Sequence, residues 1–474
     1  MSNRNSSELF KIMLASLFSA PIMLAYLMWR WLPLLADFII RCLIRYEPSP
    51  RPAPLFWHMA LSFFSAWYIF SAIALGGIFL AASWIYNRRK TPMPEKRSSP
   101  AVSFVVPAHN EEKTISKVIA SLFRCAASYP GYTEIIVVDD GSTDNTRKVA
   151  EATFKMNWEK WPYIKAKVIS HKKRMGKAAA IRTGVKKSFG KLIATVDADT
   201  WWEPETLRHL VDRMIAENLD AVTGFIHPSD GNGDINLYVI LQQLEYSQGL
   251  GIYRCAQALA NSILVIPGPI GLYRADTLKK ILDEVELKSI TEDLELTLEM
   301  QKRGLKIGYE GRARSTTIAP HSFHVLWRQR KRWFMGGLHN FLGIHRRLLF
   351  VRKWISLILW YSLLMGYGGA LIEIVALFSL PLFYWSAPDK QYFLYNLVIY
   401  SFVVFLVGVF QHALALKFSY GRYNHRKLLF YTPLYPLLRY VNVLVRLICL
   451  VQYIAGKRGF WEVTERPAVL TEAS

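Results

Sequence analysis

The sequence predicts an α/β, Rossmann-like domain inserted between transmembrane helices. Three observations carry that expectation. Apolar residues, 52% of the 474-residue chain, concentrate in long blocks at its two ends. The stretch 101–345 between them has the mixed polarity of a water-facing domain. Within that stretch short apolar strands alternate with segments of helical apolar spacing, the pattern of a parallel sheet covered by helices.

Taken in chain order, residues 9–36 and 55–86 each hold enough apolar length for a bilayer span, which needs about 20 residues. The first block is too long for a cleavable signal peptide, and no small-residue cleavage site precedes a mature domain. RYEPSPRPAP, 45–54, is too proline-rich for helix and links the two blocks. The basic linker 87–100 leaves the second block, and two spans with a basic exit put the middle domain on the cytoplasmic side.

Further apolar blocks cover about 354–385, 392–416 and 428–455. The short linker 386–391 is expected outside, and the basic linker 419–427 inside. Pro433, Pro436, Arg439 and Arg446 leave the last block open between a kinked span, an interfacial helix and a hairpin, so four to six spans are expected in all. The organisation is therefore two spans over 1–86, a linker over 87–100, the catalytic-type domain over 101–345, interfacial and spanning helices over 346–455 and a tail over 456–474. Glu373 and His412 lie inside apolar stretches, where ionisable groups are costly; they are expected to face a polar path or each other, or else to snorkel to an interface.

The net charge is +22, which raises the question of a polyanion partner. Much of the excess flanks the apolar blocks: Arg88, Arg89, Lys90, Lys96 and Arg97, then Arg346, Arg347, Arg352 and Lys353, then Arg422, Arg426 and Lys427. That placement marks cytoplasmic membrane edges, and the basic runs lack the interleaved aromatics of a nucleic-acid groove. Cys42, Cys125, Cys255 and Cys449 form no CxxC pair and read as free thiols in a reducing compartment.

In the middle domain, 102–110 is a buried strand ending in a loop, and EEKTISKVIASLF has helical spacing. EIIVVDDGSTD is a second strand and loop, with a helix beginning at Asp144-Asn145. KAKVIS is a third strand before a helix from about Gly176, and KLIATVDAD a fourth strand ending in acids. Ligands of such sheets bind beyond the carboxyl ends of the strands, where the polar motifs fall.

Asp197 and Asp199, two apart after an apolar strand, would point the same way if extended and could hold a hard divalent cation. The same pair suits an ordinary strand-end cap. Asp139 and Asp140, beside Gly141, could accept hydrogen bonds from a ribose or base, or could simply make an Asx turn. Gly176-Lys177 opens a helix after HKKRM, a setting for a diphosphate or for a solvated charge run. Asp293, in Thr291-Glu292-Asp293 ahead of the amphipathic LELTLEM, is either a helix cap or a general base. Gln329, Arg332 and Trp333 of WRQRKRW could anchor at a membrane interface, or stack a sugar and neutralise a departing diphosphate.

PAHNE, VVDDGSTD, GKAAA, DAD, TED and QRKRW in this order, between membrane blocks, resemble the family 2 glycosyltransferases, specifically the processive membrane synthases of poly-N-acetylglucosamine, chitin oligosaccharide, hyaluronan and cellulose. The likeness covers about 100–340 by motif and the whole chain by architecture. It implies a GT-A-type domain and an inverting, metal-dependent transfer of sugar from a UDP-sugar. It implies that Asp139 and Asp140 hold the nucleotide with Ala108 and Glu111, and that Lys177 contacts diphosphate or base. Asp197 and Asp199 would bind Mg²⁺ or Mn²⁺, Asp293 would be the base, and Gln329, Arg332 and Trp333 would bind acceptor and diphosphate. GPIGLYR, 268–274, resembles the acceptor-side loop.

Cellulose synthases of bacteria carry a cyclic-di-GMP-binding module after the last spans, whereas about twenty residues follow residue 455 here. The tail with Trp461 and Arg466 resembles the poly-N-acetylglucosamine type, which favours UDP-N-acetylglucosamine as donor. The implied partners are the donor, a growing polysaccharide, membrane lipid and a small membrane subunit, with no nucleic acid. Two rivals remain at this level. One is a non-processive enzyme acting on a lipid, which usually lacks QxxRW. The other is a transporter with a ligand-sensing domain, which needs neither base nor metal pair.

Overall fold

The computed structural model describes residues 76–89, 98–231, 233, 236–351, 353–419 and 425–456. The first apolar block, most of the second, Cys42, and the tail with Trp461 and Arg466 lie outside the described residues.

The catalytic-type domain is built on one eight-stranded sheet in the order β3-β2-β1-β4-β7-β6-β8-β5. Its first half is the predicted parallel unit. β1 (Val102–Ala108) lies between β2 (Thr133–Asp139) and β4 (Leu192–Thr195), and β3 (Lys165–Ser170) borders β2. All seven residues of β1 and of β2 are buried, which explains their unbroken apolar runs: helices cover both faces, so no side needs polar residues. Between these strands run α2 (Ile115–Ala127), α3 (Thr146–Lys160) and α4 (Lys177–Lys186). Because the strands are parallel, the loops after β1, β2 and β4 emerge along one edge, bringing 109–114, 140–145 and 196–199 together.

The second half differs from the all-parallel sheet expected. β7 (Gly271–Arg274) runs antiparallel to both β4 and β6 (Ala221–Ser229), β8 (Ile307–Ile318) pairs parallel with β6, and the short β5 (Thr200–Trp202) pairs antiparallel with β8. The sheet is mixed because β7 enters from the 262–270 loop at the ligand edge, rather than from a crossover helix on the far side. A β-strand with no preceding helical crossover carries no directional signal in sequence.

Helices α5 (Thr206–Ala216), α6 (Leu237–Gln248), α7 (Arg254–Leu259), α8 (Ala275–Glu284) and α9 (Glu292–Lys302) complete the domain, with a π-helical turn over Gly249–Tyr253. α10 (Phe323–Leu338) follows β8 and carries WRQRKRW. Three later segments are long and apolar enough to cross a membrane: Trp354–Ser386, Lys390–Phe418 and Thr432–Ile454. The first is α11 (Trp354–Tyr361), a π-helical turn and α12 (Gly369–Ser386); the second is α13 (Lys390–Phe418). α14 (His425–Phe430) precedes the third, which is a short 3₁₀ turn continuing into α15 (Tyr435–Ile454). Pro433 and Pro436 fall at the start of that last helix, where a missing N–H costs nothing, so the segment is one span-length helix.

The soluble and apolar parts are packed together rather than strung on a linker. Leu244, Leu326, Leu416 and Leu438 form one buried cluster that joins α6, α10, α13 and α15. The end of the second apolar block, α1 (Gly76–Arg88), docks on the domain as well: Ser83 Oγ donates to Gly251 O at 2.7 Å, Tyr86 OH donates to Tyr309 O, and Arg213 Nη2 donates to the same hydroxyl at 3.0 Å. Cys125, Cys255 and Cys449 are buried free thiols, as expected. Glu373 and His412 both line a cavity between these helices, the polar path expected of them. Glu373 forms a two-point ion pair with Arg439 at 2.5 and 3.1 Å, and His412 meets the Tyr435 ring edge-on at 4.6 Å.

Candidate active site

A cavity of about 1340 Å³ opens beyond the carboxyl ends of β1, β2 and β4 and continues between the helices after residue 353. Ten of the eleven residues singled out in the sequence line it: Ala108, Glu111, Asp140, Lys177, Asp197, Asp199, Asp293, Gln329, Arg332 and Trp333. Asp139 is the exception. It is buried at the end of β2, and Ser142 N donates to its Oδ1 at 3.1 Å, which is the Asx-turn alternative.

Asp140 is held firmly. Met175 N and Gly176 N donate to its two oxygens at 2.8 and 2.7 Å, and His171 Nδ1 lies 2.8 Å from Oδ1. Burial raises the pKa of this carboxyl, but the hydrogen bonds from His171, Met175 and Gly176 outweigh it and hold the group below the usual range. The amide donors just ahead of α4 are thus taken by Asp140, so a diphosphate there would meet a carboxylate-capped turn. Gly176 has φ +97°, a backbone conformation that glycine adopts without cost. Glu111 accepts from Thr114 Oγ1 at 2.9 Å, and its own N–H donates to Thr146 Oγ1 at 2.7 Å, fixing the loop after β1 to the start of α3.

Lys177 reaches across the cavity instead of towards open solvent. Its Nζ lies 2.7 Å from Asp197 Oδ1 and 2.9 Å from Glu292 Oε1. Burial would lower its pKa, but the surrounding carboxylates Asp197, Glu292 and Asp293 raise it well above the ordinary lysine value, so the group is a fixed cation. Glu292 escaped the sequence reading because an acid in the first turn of a helix is ordinary dipole chemistry there.

Asp197 and Asp199 do not sit on an extended strand. β4 ends at Thr195, and Thr200 N donates to Asp197 O at 3.0 Å, closing a tight turn. The two carboxylates therefore have separate surroundings. Asp197 pairs with Lys177, whereas Asp199 Oδ1 accepts from Thr200 Oγ1 at 3.1 Å and lies 3.5 Å from Thr317 Oγ1. Gly268 packs directly on the first: a Cβ there would come within 2.6 and 2.7 Å of the Asp197 oxygens and 2.7 Å of Lys177 Nζ. Glycine at 268 thus leaves the room in which these groups meet.

Asp293 stands in the first turn of α9, and Leu294 N donates to its Oδ1 at 2.8 Å. Burial, reinforced by Glu292, pushes its pKa up to about 6 against the opposing charge of Lys177. α9 is not the half-exposed amphipathic helix expected. Nine of its eleven residues are buried, because it packs between the sheet and the helices after residue 338. Its start is tied to the next element by Asn340, whose Nδ2 donates to Ser289 Oγ at 2.8 Å and to Thr291 Oγ1 at 3.2 Å. One turn on, Thr297 Oγ1 donates to Asp293 O at 2.7 Å and accepts from Ile266 N at 2.9 Å, so α9 also holds the loop that carries Gly268.

On the opposite wall, Gln329, Arg332 and Trp333 project from α10. Arg330 between them is 3% exposed, with its Cζ 4.5 Å from the centre of the Trp333 ring and its Nη2 2.6 Å from Glu245 Oε2. Among the described residues no cluster of three or more His, Cys, Asp or Glu side chains could hold a metal by itself. A cation at Asp197 and Asp199 would draw its remaining ligands from a substrate, as Mg²⁺ and Mn²⁺ commonly do.

A doubly covered parallel sheet half, acids at its ligand edge and an opposed acid on a buried helix define a GT-A-type glycosyltransferase domain. The Glycosyl transferase family 2 profile matches residues 103–282. The poly-β-1,6-N-acetyl-D-glucosamine synthase of Staphylococcus epidermidis is 26% identical over 420 residues, covering 84% of this chain and 98% of that protein. The N-acetylglucosaminyltransferase of Azorhizobium caulinodans is 30% identical over 243 residues, covering 50% of this chain and 59% of that one. Among solved structures, the mannosyltransferase PcManGT of Pyrobaculum calidifontis, in complex with GDP-Man and Mn²⁺, aligns with a TM-score of 0.48 at 17% identity over 83% of this chain and 99% of that chain. Residues 103–282 therefore carry a glycosyltransferase family 2 domain, and the protein is a hexosyltransferase.

Proposed function

We propose that this protein is an inverting, processive glycosyltransferase that polymerises UDP-N-acetylglucosamine into a β-linked polysaccharide and passes it across the membrane in which it is embedded, with the catalytic domain on the cytoplasmic side. The observation that carries the reading is one shared cavity: donor-side acids, the half-buried Asp293 and an aromatic-cationic helix line it, and it runs on between the span-length helices. The relative matched over nearly its whole length, a poly-β-1,6-N-acetyl-D-glucosamine synthase, supports the choice of sugar.

In this reading the nucleotide lies over Ala108, Glu111 and Asp140. The side chains of Asp197 and Asp199 suit a hard divalent cation, Mg²⁺ or Mn²⁺, which when bound neutralises the departing diphosphate. Asp293 takes the proton from the acceptor hydroxyl as that oxygen attacks the anomeric carbon, and UDP leaves from the opposite face, so an α-linked donor gives a β-linked product. Arg332 offers a permanent positive charge to the diphosphate, and Trp333 a flat face to the acceptor ring. Lys177 keeps Asp197 and Glu292 from repelling each other before substrate arrives.

Purified protein in vesicles, given a panel of labelled UDP-sugars with Mg²⁺ or Mn²⁺, is expected to release UDP and lengthen product with UDP-N-acetylglucosamine above the others. Digestion by linkage-specific glycosidases reads the bond formed. Single-sugar products on lipid would support the non-processive alternative instead. Gly268→Ala is expected to keep the melting temperature, since the displaced atoms are side-chain tips, while shifting Asp197. The divalent-cation concentration for half-maximal activity should rise about tenfold. An unchanged titration would remove Asp197 from the cation site.

A further inference from the structure

Glu245 has no part in the motifs that define the site, yet it is the point where three elements meet beside it. Its side chain lies on α6, lines the cavity, and is 23% exposed. Its Oε2 takes the 2.6 Å ion pair with Arg330 Nη2 of α10. Its Oε1 accepts from Asn442 Nδ2 of α15 at 2.8 Å. Arg330 and Asn442 are themselves 3% and 6% exposed, so each is held in the cavity wall with the Glu245 carboxylate as its partner. Arg330 Nε has no hydrogen-bond partner among the described residues. The orientation of the guanidinium therefore depends on Glu245 on one side and on the Trp333 ring, 4.5 Å from Cζ, on the other.

We propose that Glu245 is a positioning residue for the acceptor: it fixes the Arg330 guanidinium against which Trp333 lies, and ties that platform to the span-length helix α15 through Asn442. The inference rests on the acceptor role proposed for Trp333. Its consequence is that the place of the acceptor ring is set jointly by the catalytic domain and by a membrane helix. A shift of α15 relative to α6 would reach Trp333 through this carboxylate as well as through the direct packing of α15 on α10.

The test uses the full-length protein in nanodiscs, with a β-1,6-linked N-acetylglucosamine oligosaccharide as acceptor probe. Glu245→Gln keeps an oxygen for Asn442 but removes the charge facing Arg330. It is expected to raise the acceptor KM about tenfold and to shorten the products, while the UDP dissociation constant moves less than about twofold. In a Trp333→Ala background the same change should add almost nothing, because both act through one ring. Independent, additive effects of the two substitutions would overturn the proposal, as would an unchanged acceptor KM in Glu245→Gln when Trp333→Ala raises it. If Trp333→Ala itself leaves the acceptor KM unchanged, the acceptor reading of Trp333 falls and the role of Glu245 falls with it. Should Glu245→Gln fail to fold, Arg330→Lys carries the test: it keeps the charge beside Glu245 but loses the planar group under the indole. The same rise in acceptor KM is expected there, and its absence would overturn the proposal.

Discussion

Asp293→Asn is expected to cut sugar transfer by about 10²–10⁴-fold, the usual worth of a positioned proton acceptor, while UDP binding stays within a factor of about two. The amide keeps the size of the side chain and the oxygen to which Leu294 N donates, so the start of α9 should hold its shape. What is lost is the capacity to take a proton. The pH profile gives an independent check. Burial and Glu292 push the Asp293 carboxyl up to about 6, so transfer by the unaltered protein should fall as pH drops through that value. Stability should move in the opposite sense. An acid whose folded pKa lies above its unfolded value of 3.8 binds more protons folded than unfolded between the two, so its contribution falls as pH rises through that window. Asp293→Asn is therefore expected to melt at a higher temperature than the parent at pH 7. A variant with full transfer activity would take Asp293 out of the reaction.

Asp197→Asn should be nearly as damaging, with transfer falling about 10²–10³-fold, the scale seen when one preorganised charge-stabilising group is lost. Two effects combine at this residue. The site loses one of the two carboxylates suited to the cation, and Lys177 loses its 2.7 Å partner, keeping Glu292 alone at 2.9 Å. Lys177 would then swing toward α9 and add positive charge near Asp293, where it already opposes the upward shift of that pKa. The low-pH limb of any residual activity is therefore expected to move to lower pH. Calorimetry of UDP binding with and without Mn²⁺ separates the two effects: in the variant, added Mn²⁺ should no longer tighten UDP. Stripping the parent protein with a chelator should abolish transfer and Mn²⁺ should restore it, whereas the variant should not recover. Rescue of the variant by a modest excess of Mn²⁺ would assign the cation to other groups.

Much of this site is legible in the amino-acid sequence. The unbroken apolar runs of β1 and β2 announced a sheet covered on both faces, and each polar motif followed such a run, so its place at one edge was implied by the parallel direction. Asp140, Lys177, Asp197 and Asp293 are legible because they stand in motifs that, in this order, resemble those of family 2 glycosyltransferases. The spatial partners are not. Glu292, Glu245 and Asn340 contact groups far away in the chain, and nothing local distinguishes them from solvent-facing acids and amides. The spacing of Asp197 and Asp199 predicts an extended pair, but a turn closed by Thr200 N gives them separate neighbours. Asp139 and Asp140 looked equivalent in sequence; one serves its own turn, and the other receives two amides from the loop before α4.

The amino-acid sequence alone determined the division into apolar ends and a mixed α/β middle, the strand-loop-helix order, and which residue types could carry transfer chemistry. These properties depend on local composition and spacing, which survive any arrangement of the distant parts. Only the tertiary structure decided that β7 runs antiparallel, that Lys177 spans Asp197 and Glu292, and that Glu245 joins the catalytic domain to α15. Each of these depends on contacts between residues tens to hundreds of positions apart. Their energy comes from burying charge and apolar surface together, and no segment holds that information by itself.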